Sequence, residues 1–232
     1  MRLDKFIAEN VGLTRSQATK AIRQSAVKIN GEIVKSGSVQ ISQEDEIYFE
    51  DELLTWFEEG QYFMLHKPQG CVCSNDDGGY PTIYQFFDYP LAGKLHSAGR
   101  LDVDTTGLVL LTDDGQWSHR ITSPKHHCEK TYLVTLADPV EENYAAACSE
   151  GILLRGEKEP TKPAKLEILD DYNVNLTISE GRYHQVKRMF AALGNKVVGL
   201  HRWKIGDVVL DESLEEGEYR PLTQSEIEKL VK

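Results

Sequence analysis

The apolar positions of the first fifty residues change from helical spacing to the spacing of short strands. Leu3 and Ile7 lie one helical turn apart. Thr14 followed by Gln17 is a capping box, which predicts the start of a second helix. Two short apolar runs then flank Asn30-Gly31, the dipeptide preferred in two-residue hairpin turns. The pattern therefore predicts two helices followed by a β-hairpin.

The rest of the chain mixes the two kinds of spacing. Short or alternating apolar runs predict strands at 62–66, 108–111, 132–136, 174–178 and 196–205. Helical spacing predicts helices near 117–121 and 186–193, and a second capping box at Thr223 and Glu226 predicts one more. This arrangement is α+β, with a small N-terminal module and a larger domain.

An acidic segment that ends near Gly60 separates the two parts. We therefore predict an N-terminal module at 1–52, a linker at 53–61 and the larger domain at 62–232. Composition adds that 40% of the residues are apolar and 27% are charged, as in an ordinary soluble protein. Neither a membrane-length apolar run nor a leader pattern is visible, so we expect a cytoplasmic protein. The four cysteines lack a CxxC pair, which argues against a zinc site.

Charge is distributed very unevenly along this acidic chain, whose formal net charge is −11. Residues 1–43 carry seven basic and three acidic side chains, whereas 44–59 carry eight acidic and no basic ones. Residues 182–204 hold six Lys or Arg and no Asp or Glu. Local basic islands of this kind are the electrostatic footprint that phosphates require. The distribution therefore points to a nucleic-acid partner in spite of the net charge.

The most informative candidate chemistry is the stretch around Arg100, Asp102 and Asp104, immediately before the apolar run 108–111. Charged groups at the lip of a core are where carboxylates become nucleophiles, acids or bases. The spacing alone leaves other interpretations open. The stretch is also compatible with a solvated turn, or with two carboxylates that share a strand face and bind Mg²⁺.

Six segments in order resemble one family. They are the N-terminal module, which is similar to an S4 RNA-binding domain, then Lys67-Pro68-Gln69-Gly70, Gly99-Arg100-Leu101-Asp102, Lys130-Thr131-Tyr132, the stretch Glu180–Met189, and Leu200 with Arg202 and Ile205-Gly206. Together they resemble the RsuA/RluB/RluE/RluF family of pseudouridine synthases over essentially the whole chain. The resemblance implies an S4-like module joined to a catalytic domain with a mixed or antiparallel sheet. Within the family, the stretches 102–107 and 112–120 look most like the members that modify small-subunit rRNA.

The resemblance implies a role for each of several residues. Asp102 is the expected nucleophile, which either attacks the sugar or assists elimination, and Lys187 is the cation that keeps it ionised. Tyr132 is expected to stack on the uracil and to help remove the C5 proton. Leu200 is expected to pack under the base. Arg100 is expected to hold a phosphate or to fill the gap that the extruded uridine leaves in the RNA.

Other basic residues are expected to bind the RNA backbone, which gives affinity but little choice of sequence. Those of the catalytic domain are Arg182, Arg188 and Arg202, and those of the basic helix are Arg15, Lys20 and Arg23. We expect 16S rRNA, free or in a partly assembled small subunit, as the partner of a monomer. Neither a cofactor, a metal nor a membrane is expected to take part.

Three rival functions remain at this point. A member of the same family could act on 23S rRNA instead. The module could belong to a non-catalytic RNA-binding or ribosome-assembly factor of the S4 type. A glycoside or nucleoside hydrolase could use Asp102 and Asp104 as its pair of carboxylates.

Overall fold

The computed structural model describes residues 1–56, 60–74, 79–88, 91–123, 126 and 128–231. The chain divides into two compact units. The first comprises Met1–Gly60 with Phe87–Leu95, and the second comprises Gln61–Phe86 with His96–Lys232. No helix in the described ranges is both long enough and apolar enough to cross a bilayer.

The first unit packs two helices on a small sheet. The helices are α1 (Leu3–Val11) and α2 (Arg15–Arg23), and the strands, in the spatial order β2-β1-β3-β4, are β1 (Val27–Ile29), β2 (Glu32–Ile33), β3 (Ile47–Phe49) and β4 (Glu52–Leu53). The predicted capping box at Thr14 and Gln17 is confirmed, with both of its hydrogen bonds present. The predicted hairpin is also confirmed, because Asn30 and Gly31 have φ values of 51° and 86° in the turn between β1 and β2.

Packing in the first unit continues past its predicted end at residue 52. The Trp56 ring lies 4.4 Å from that of Phe6, and its indole nitrogen donates to the Asp45 carbonyl at 3.0 Å. Burial of an aromatic ring therefore holds residues that the acidic composition had placed in the linker. Residues 57–59 of that predicted linker lie outside the described residues.

The second unit is built on a large sheet with helices around it. Its strands are β5 (Tyr62–Lys67), β6 (His96–Ser97), β7 (Thr106–Thr112), β8 (Lys130–Leu136), β9 (Lys165–Ile168), β10 (Asn173–Ile178), β11 (Val197–Ile205), β12 (Val208–Val209) and β13 (Tyr219–Pro221). Its helices are α3 (Gly115–Thr122), α4 (Tyr144–Glu150), α5 (Gln185–Ala192) and α6 (Gln224–Lys229). Two short 3₁₀ helices span Ile83–Phe86 and Leu91–Gly93, the second of them within the residues grouped with the first unit.

The described strands of this sheet follow the order β13-β5-β7-β11-β8-β10-β9, with β12 on β11 and β6 on β7. Pairing is antiparallel except between β7 and β11, so the sheet is mixed. The predicted α+β class is confirmed. The apolar run Leu108–Leu111 is fully buried at the sheet centre, where Leu108 and Leu110 pack against Trp117 and Ile121 of α3.

Gly107 allows β7 and β11 to come unusually close. Its φ is 108°, a conformation that favours glycine. A Cβ built there would lie 2.2 Å from the backbone oxygen of Arg202 and 2.8 Å from its nitrogen. Only a residue without a side chain fits between the two strands, which fixes the start of β7 directly against Arg202.

Candidate active site

The stretch that carries Asp102 and Asp104 is a turn that ends immediately before β7. The Thr105 amide donates to the Asp102 carbonyl at 3.1 Å, which closes the turn. The two carboxylates therefore do not lie on one face of a strand, as the magnesium-binding interpretation required. No cluster of three or more His, Cys, Asp or Glu side chains suited to a metal ion occurs within the described ranges.

Donors from other parts of the second unit hold the backbone of this turn. The carbonyls of four turn residues each accept one hydrogen bond from elsewhere: Arg100 from Arg202 (3.3 Å), Val103 from the Gly70 amide (2.8 Å), Asp104 from the Gln69 side chain (3.2 Å) and Thr105 from Lys67 Nζ (2.8 Å). In addition, the Leu101 amide donates to the thiol sulfur of Cys73 at 3.4 Å. The backbone polar groups are thus used by the scaffold, and the acidic side chains are left to face the cavity described below.

Lys67 is a residue to which the sequence reasoning gave no role of its own. Its side chain is fully buried, and its ammonium donates to the carbonyls of Pro68 and Thr105 at 2.9 and 2.8 Å. Burial lowers the pKa of Lys67 below its ordinary value, against the opposing effect of nearby thiols and carboxylates. The motif Lys67-Pro68-Gln69-Gly70 thereby ties the end of β5 to the turn before β7.

Lys187 lies between the two carboxylates of the turn. It belongs to the first turn of α5, and its Nζ is 3.1 Å from Asp102 Oδ2 and 2.5 Å from Asp104 Oδ1. The Asp102 side chain is 30% exposed and that of Asp104 is 62% exposed. One ammonium therefore pairs with both carboxylates of the turn, the half-buried one of Asp102 and the more exposed one of Asp104.

The pKa values of Lys187 and Asp104 shift as a mutual ion pair requires. Burial alone would lower the pKa of Lys187, but Asp104 and Asp102 outweigh it, so this pKa lies above its ordinary value. Burial alone would raise the pKa of Asp104, but the hydrogen bond and the charge of Lys187 hold it below its ordinary value. Both groups are therefore charged at neutral pH.

Tyr132 approaches the site from the neighbouring strand β8, where its side chain is buried. Its hydroxyl oxygen accepts a hydrogen bond from Arg202 Nη1 at 3.5 Å, and the Arg202 guanidinium lies 5.9 Å from the ring centroid. The Arg202 guanidinium therefore holds the Tyr132 phenol in place.

A cavity of about 750 Å³ brings the predicted catalytic residues together. Its lining includes Asp102, Tyr132, Lys187, Arg100 and Leu200, all from the second unit. A cavity of this size accommodates a ligand as large as a nucleotide. The structure thus gathers, around one concavity, side chains that the sequence had placed on separate motifs.

The prediction that Arg202 contacts the RNA backbone is wrong, because its side chain is 1% exposed. Its guanidinium donates to the carbonyls of Leu108 at 2.8 Å and Arg100 at 3.3 Å, besides the Tyr132 hydroxyl. Its Nη2 atom is buried and has no hydrogen-bond partner within the described part of the chain. Arg202 is therefore an internal support that connects β7, the acidic turn and Tyr132.

Arg182 and Arg188 are only partly exposed, and protein groups contact both. Arg182 pairs with Glu180 at 3.3 Å and donates to the carbonyls of Glu159 and Pro160. Arg188 pairs with Glu157 at 2.9 Å and donates to two carbonyls as well. Their predicted contacts with RNA stay predictions. The protein groups named above already fix the orientation of both guanidiniums.

The basic residues predicted on the N-terminal module lie on α2. Arg15, Lys20 and Arg23 are all exposed there, and Arg15 also pairs with Asp4 at 2.7 Å. This placement leaves a cationic helix face open to solvent, so their RNA-binding role also stays a prediction.

His184 is a residue of the site whose position beside Asp102 the sequence reasoning did not foresee. It stands at the N-terminal boundary of α5 in the left-handed conformation, with φ 48°. Its Nε2 lies 3.5 Å from Asp102 Oδ1, on the carboxylate oxygen that Lys187 does not bind. The ring reaches this carboxylate because His184 has a positive φ, and the amino-acid sequence alone does not indicate that backbone conformation.

Comparison with known proteins identifies the class. Residues 61–192 match the family model described as RNA pseudouridylate synthase, and residues 1–47 match the S4 domain. The chain belongs to the RNA pseudouridylate synthase family, and the predicted resemblance is confirmed.

Its similarity to particular relatives extends over the full length. It is 98% identical to the ribosomal small subunit pseudouridine synthase A of Haemophilus influenzae, over 100% of both chains. The proteins of the same name from Pasteurella multocida and Escherichia coli K12 are 78% and 57% identical, over 98% and 100% of each chain. A crystal structure described as a pseudouridylate synthase is 97% identical, with a TM-score of 0.73 over 100% of both chains.

Proposed function

We propose that this enzyme converts a single uridine of 16S rRNA into pseudouridine. The observation that carries the proposal is the Asp102 carboxylate, held by Lys187 at 3.1 Å in a nucleotide-sized cavity that Tyr132 also lines. The relatives named for the small subunit support the choice of rRNA. Because an RNA uridine is reached only when it leaves the base stack, the cavity would receive the extruded nucleotide.

The reaction is an isomerisation that needs no outside oxidant or phosphate donor. The bond from ribose C1′ to uracil N1 breaks, C1′ bonds to C5, the C5 hydrogen leaves as a proton and N1 takes one up. An ionised carboxylate beside C1′ serves either direct attack on the sugar or assistance to elimination. We assign this role to Asp102, with Lys187 maintaining its charge in the partly desolvated cavity.

Tyr132 and Leu200 would contact the base itself. In this proposal the Tyr132 ring stacks on the uracil while its hydroxyl, fixed by Arg202, helps to remove the C5 proton. Leu200 would pack under the base as it turns to present C5. Such positioning is effective because small displacements of reacting groups cost large factors in rate.

The remaining contacts would hold the RNA outside the cavity. We propose that Arg100, Arg182 and Arg188 bind backbone phosphates near the target, and that Arg15, Lys20 and Arg23 of the S4 domain bind farther along the RNA. We retain 62–232 as the catalytic domain and propose a cytoplasmic enzyme that acts as a monomer. RNA shape and loop bases would select the uridine.

One assay tests the proposal directly. 16S rRNA with tritium at uracil C5, free or in a partly assembled small subunit, is incubated with the protein, and tritium release is measured. Formation of pseudouridine must displace this hydrogen, so stoichiometric release of about one tritium per RNA is expected from the reaction described above. Absence of release from both substrates would refute the proposal, and release from 23S rRNA alone would move the target to the large subunit.

Lys187→Met should lower kcat for tritium release by about a hundredfold, because a charge-stabilising donor in a partly dry site is lost. The methionine keeps much of the side-chain volume but leaves the Asp102 carboxylate without its cation. Lys165→Met, which alters an exposed lysine of β9 outside the cavity, is the matched control and should react at the wild-type rate. Equal rates for the two variants would contradict the role of Lys187.

A further inference from the structure

Tyr183 is a large aromatic residue that is mostly exposed to solvent. Its side chain is 77% exposed, the largest value among the big apolar residues of the described chain. It lies just before α5 and lines the cavity that holds Asp102. Its hydroxyl makes no hydrogen bond in the described part of the structure, so the ring is not held by its polar end. The ring is therefore accessible to a ligand that enters the cavity.

The ring is nevertheless held on one face. It stacks on His184, with ring centroids 3.8 Å apart and an angle of 20° between the planes. His184 adopts a positive φ, which costs energy for a residue other than glycine. The same histidine contacts Asp102 at 3.5 Å. A strained residue thus connects the outer tyrosine ring to the reacting carboxylate, while the high exposure of Tyr183 leaves its other face open.

The open face suits a nucleobase. Every base has a flat π-face, and stacking on an aromatic side chain stabilises single-stranded RNA without reading its sequence. Extrusion of the target uridine removes a stacking partner from the base beside it. A flat ring at the cavity mouth can take over this contact.

We propose that Tyr183 forms a stacking site for the base adjacent to the target uridine. The proposal rests on the proposed function, since it requires an RNA with an extruded uridine. The site replaces the stacking that extrusion breaks, and it holds the neighbouring nucleotide against the Tyr183–His184 pair while the target lies beside Asp102. His184 is a positioning residue in this arrangement, because it orients the ring on one side and contacts the carboxylate on the other.

The test measures stacking separately from catalysis. Fragments of 16S rRNA that contain the target uridine carry 2-aminopurine, whose fluorescence falls on stacking, at the 5′ or the 3′ neighbour. A second set carries an abasic nucleotide at the same positions. Binding of each fragment is measured with wild-type protein, Tyr183→Phe and Tyr183→Ala. Tyr172→Ala is the control, because Tyr172 is also exposed but does not line the cavity.

Wild type and Tyr183→Phe should quench 2-aminopurine at one neighbour, whereas Tyr183→Ala should not. Tyr183→Ala should also weaken binding of the intact fragment by about tenfold, as loss of one stacked base predicts. With the abasic fragment the difference between Tyr183→Ala and wild type should disappear. Tyr172→Ala should behave as wild type throughout.

Two results would overturn the stacking site. One is an equal loss of affinity in Tyr183→Ala for intact and abasic fragments, since the ring would then only support His184. The other is an absence of quenching at both neighbours with wild-type protein. Quenching without tritium release would instead refute the synthase reaction although Tyr183 still stacks on an RNA base, so the two failures are distinguishable.

Discussion

Asp102→Asn should reduce pseudouridine formation at least about a thousandfold, equivalent to about 4 kcal/mol of activation free energy, while the protein stays folded. Asparagine has nearly the same shape as aspartate but carries no negative charge, so it neither attacks C1′ nor assists elimination. Asp102 contributes to the turn through its backbone carbonyl, which the substitution keeps. Single-turnover tritium release with excess enzyme measures the effect, and thermal unfolding checks the fold.

Asp104→Asn is the control that separates the two carboxylates. Asp104 also contacts Lys187, but its side chain is 62% exposed and therefore better solvated. Its replacement should cost no more than about tenfold in rate, in line with the modest worth of exposed ion pairs. If Asp104→Asn were as inactive as Asp102→Asn, or if Asp102→Asn kept its activity, the assignment of the nucleophile would be wrong.

Arg202→Met should damage both stability and catalysis. It removes the donor to the buried carbonyl of Leu108 and to the carbonyl of Arg100, at a cost of about 2–5 kcal/mol in the free energy of unfolding. It also frees the Tyr132 hydroxyl, so kcat should fall by about a hundredfold, as misplacement of a reacting group predicts. KM for the RNA should change little, because the guanidinium is not on the surface. Urea unfolding and steady-state tritium release measure the two effects.

Arg220→Met distinguishes a catalytic effect from simple loss of stability. Arg220 also holds a polar network together, with Asp211 at 2.6 Å and Glu226 at 2.8 Å, but it does not line the cavity. This variant should unfold more easily and keep its kcat. A further check is the double variant Arg202→Met with Tyr132→Phe, which should be little slower than Arg202→Met alone. Additive losses would mean that Arg202 does not act through Tyr132.

The sequence predicted those parts of the fold that depend on neighbouring residues. Both capping boxes and the Asn30-Gly31 hairpin are confirmed, since each is decided by hydrogen bonds or backbone preferences within a few positions. The buried run Leu108–Leu111 is confirmed for the same reason. The end of the first unit was less predictable, because the packing of Trp56 on Phe6 joins residues 50 positions apart.

The site was predicted from resemblance rather than from spacing. Asp102 and Lys187 are 85 positions apart, and no pattern in the chain specifies that an acidic turn meets a helix so distant. Arg202 shows the limit of charge counting. It belongs to a basic island in the sequence, but its guanidinium is buried and donates to main-chain carbonyls and to the Tyr132 hydroxyl. A linear charge pattern does not show which partners a charged side chain will find in the folded protein.

The position of β11 also determines at what stage of synthesis the site can form. This strand is inserted between β7 and β8, although it follows both by more than 60 residues and begins only at Val197. Contacts between segments so distant in sequence carry a high loop-closure cost and form slowly. During synthesis the acidic turn and Tyr132 are made first, but their common support Arg202 follows much later. A nascent chain that stops before β11 therefore lacks the support that joins the acidic turn to Tyr132, and the site is complete only after β11 has been made and has paired with β7 and β8.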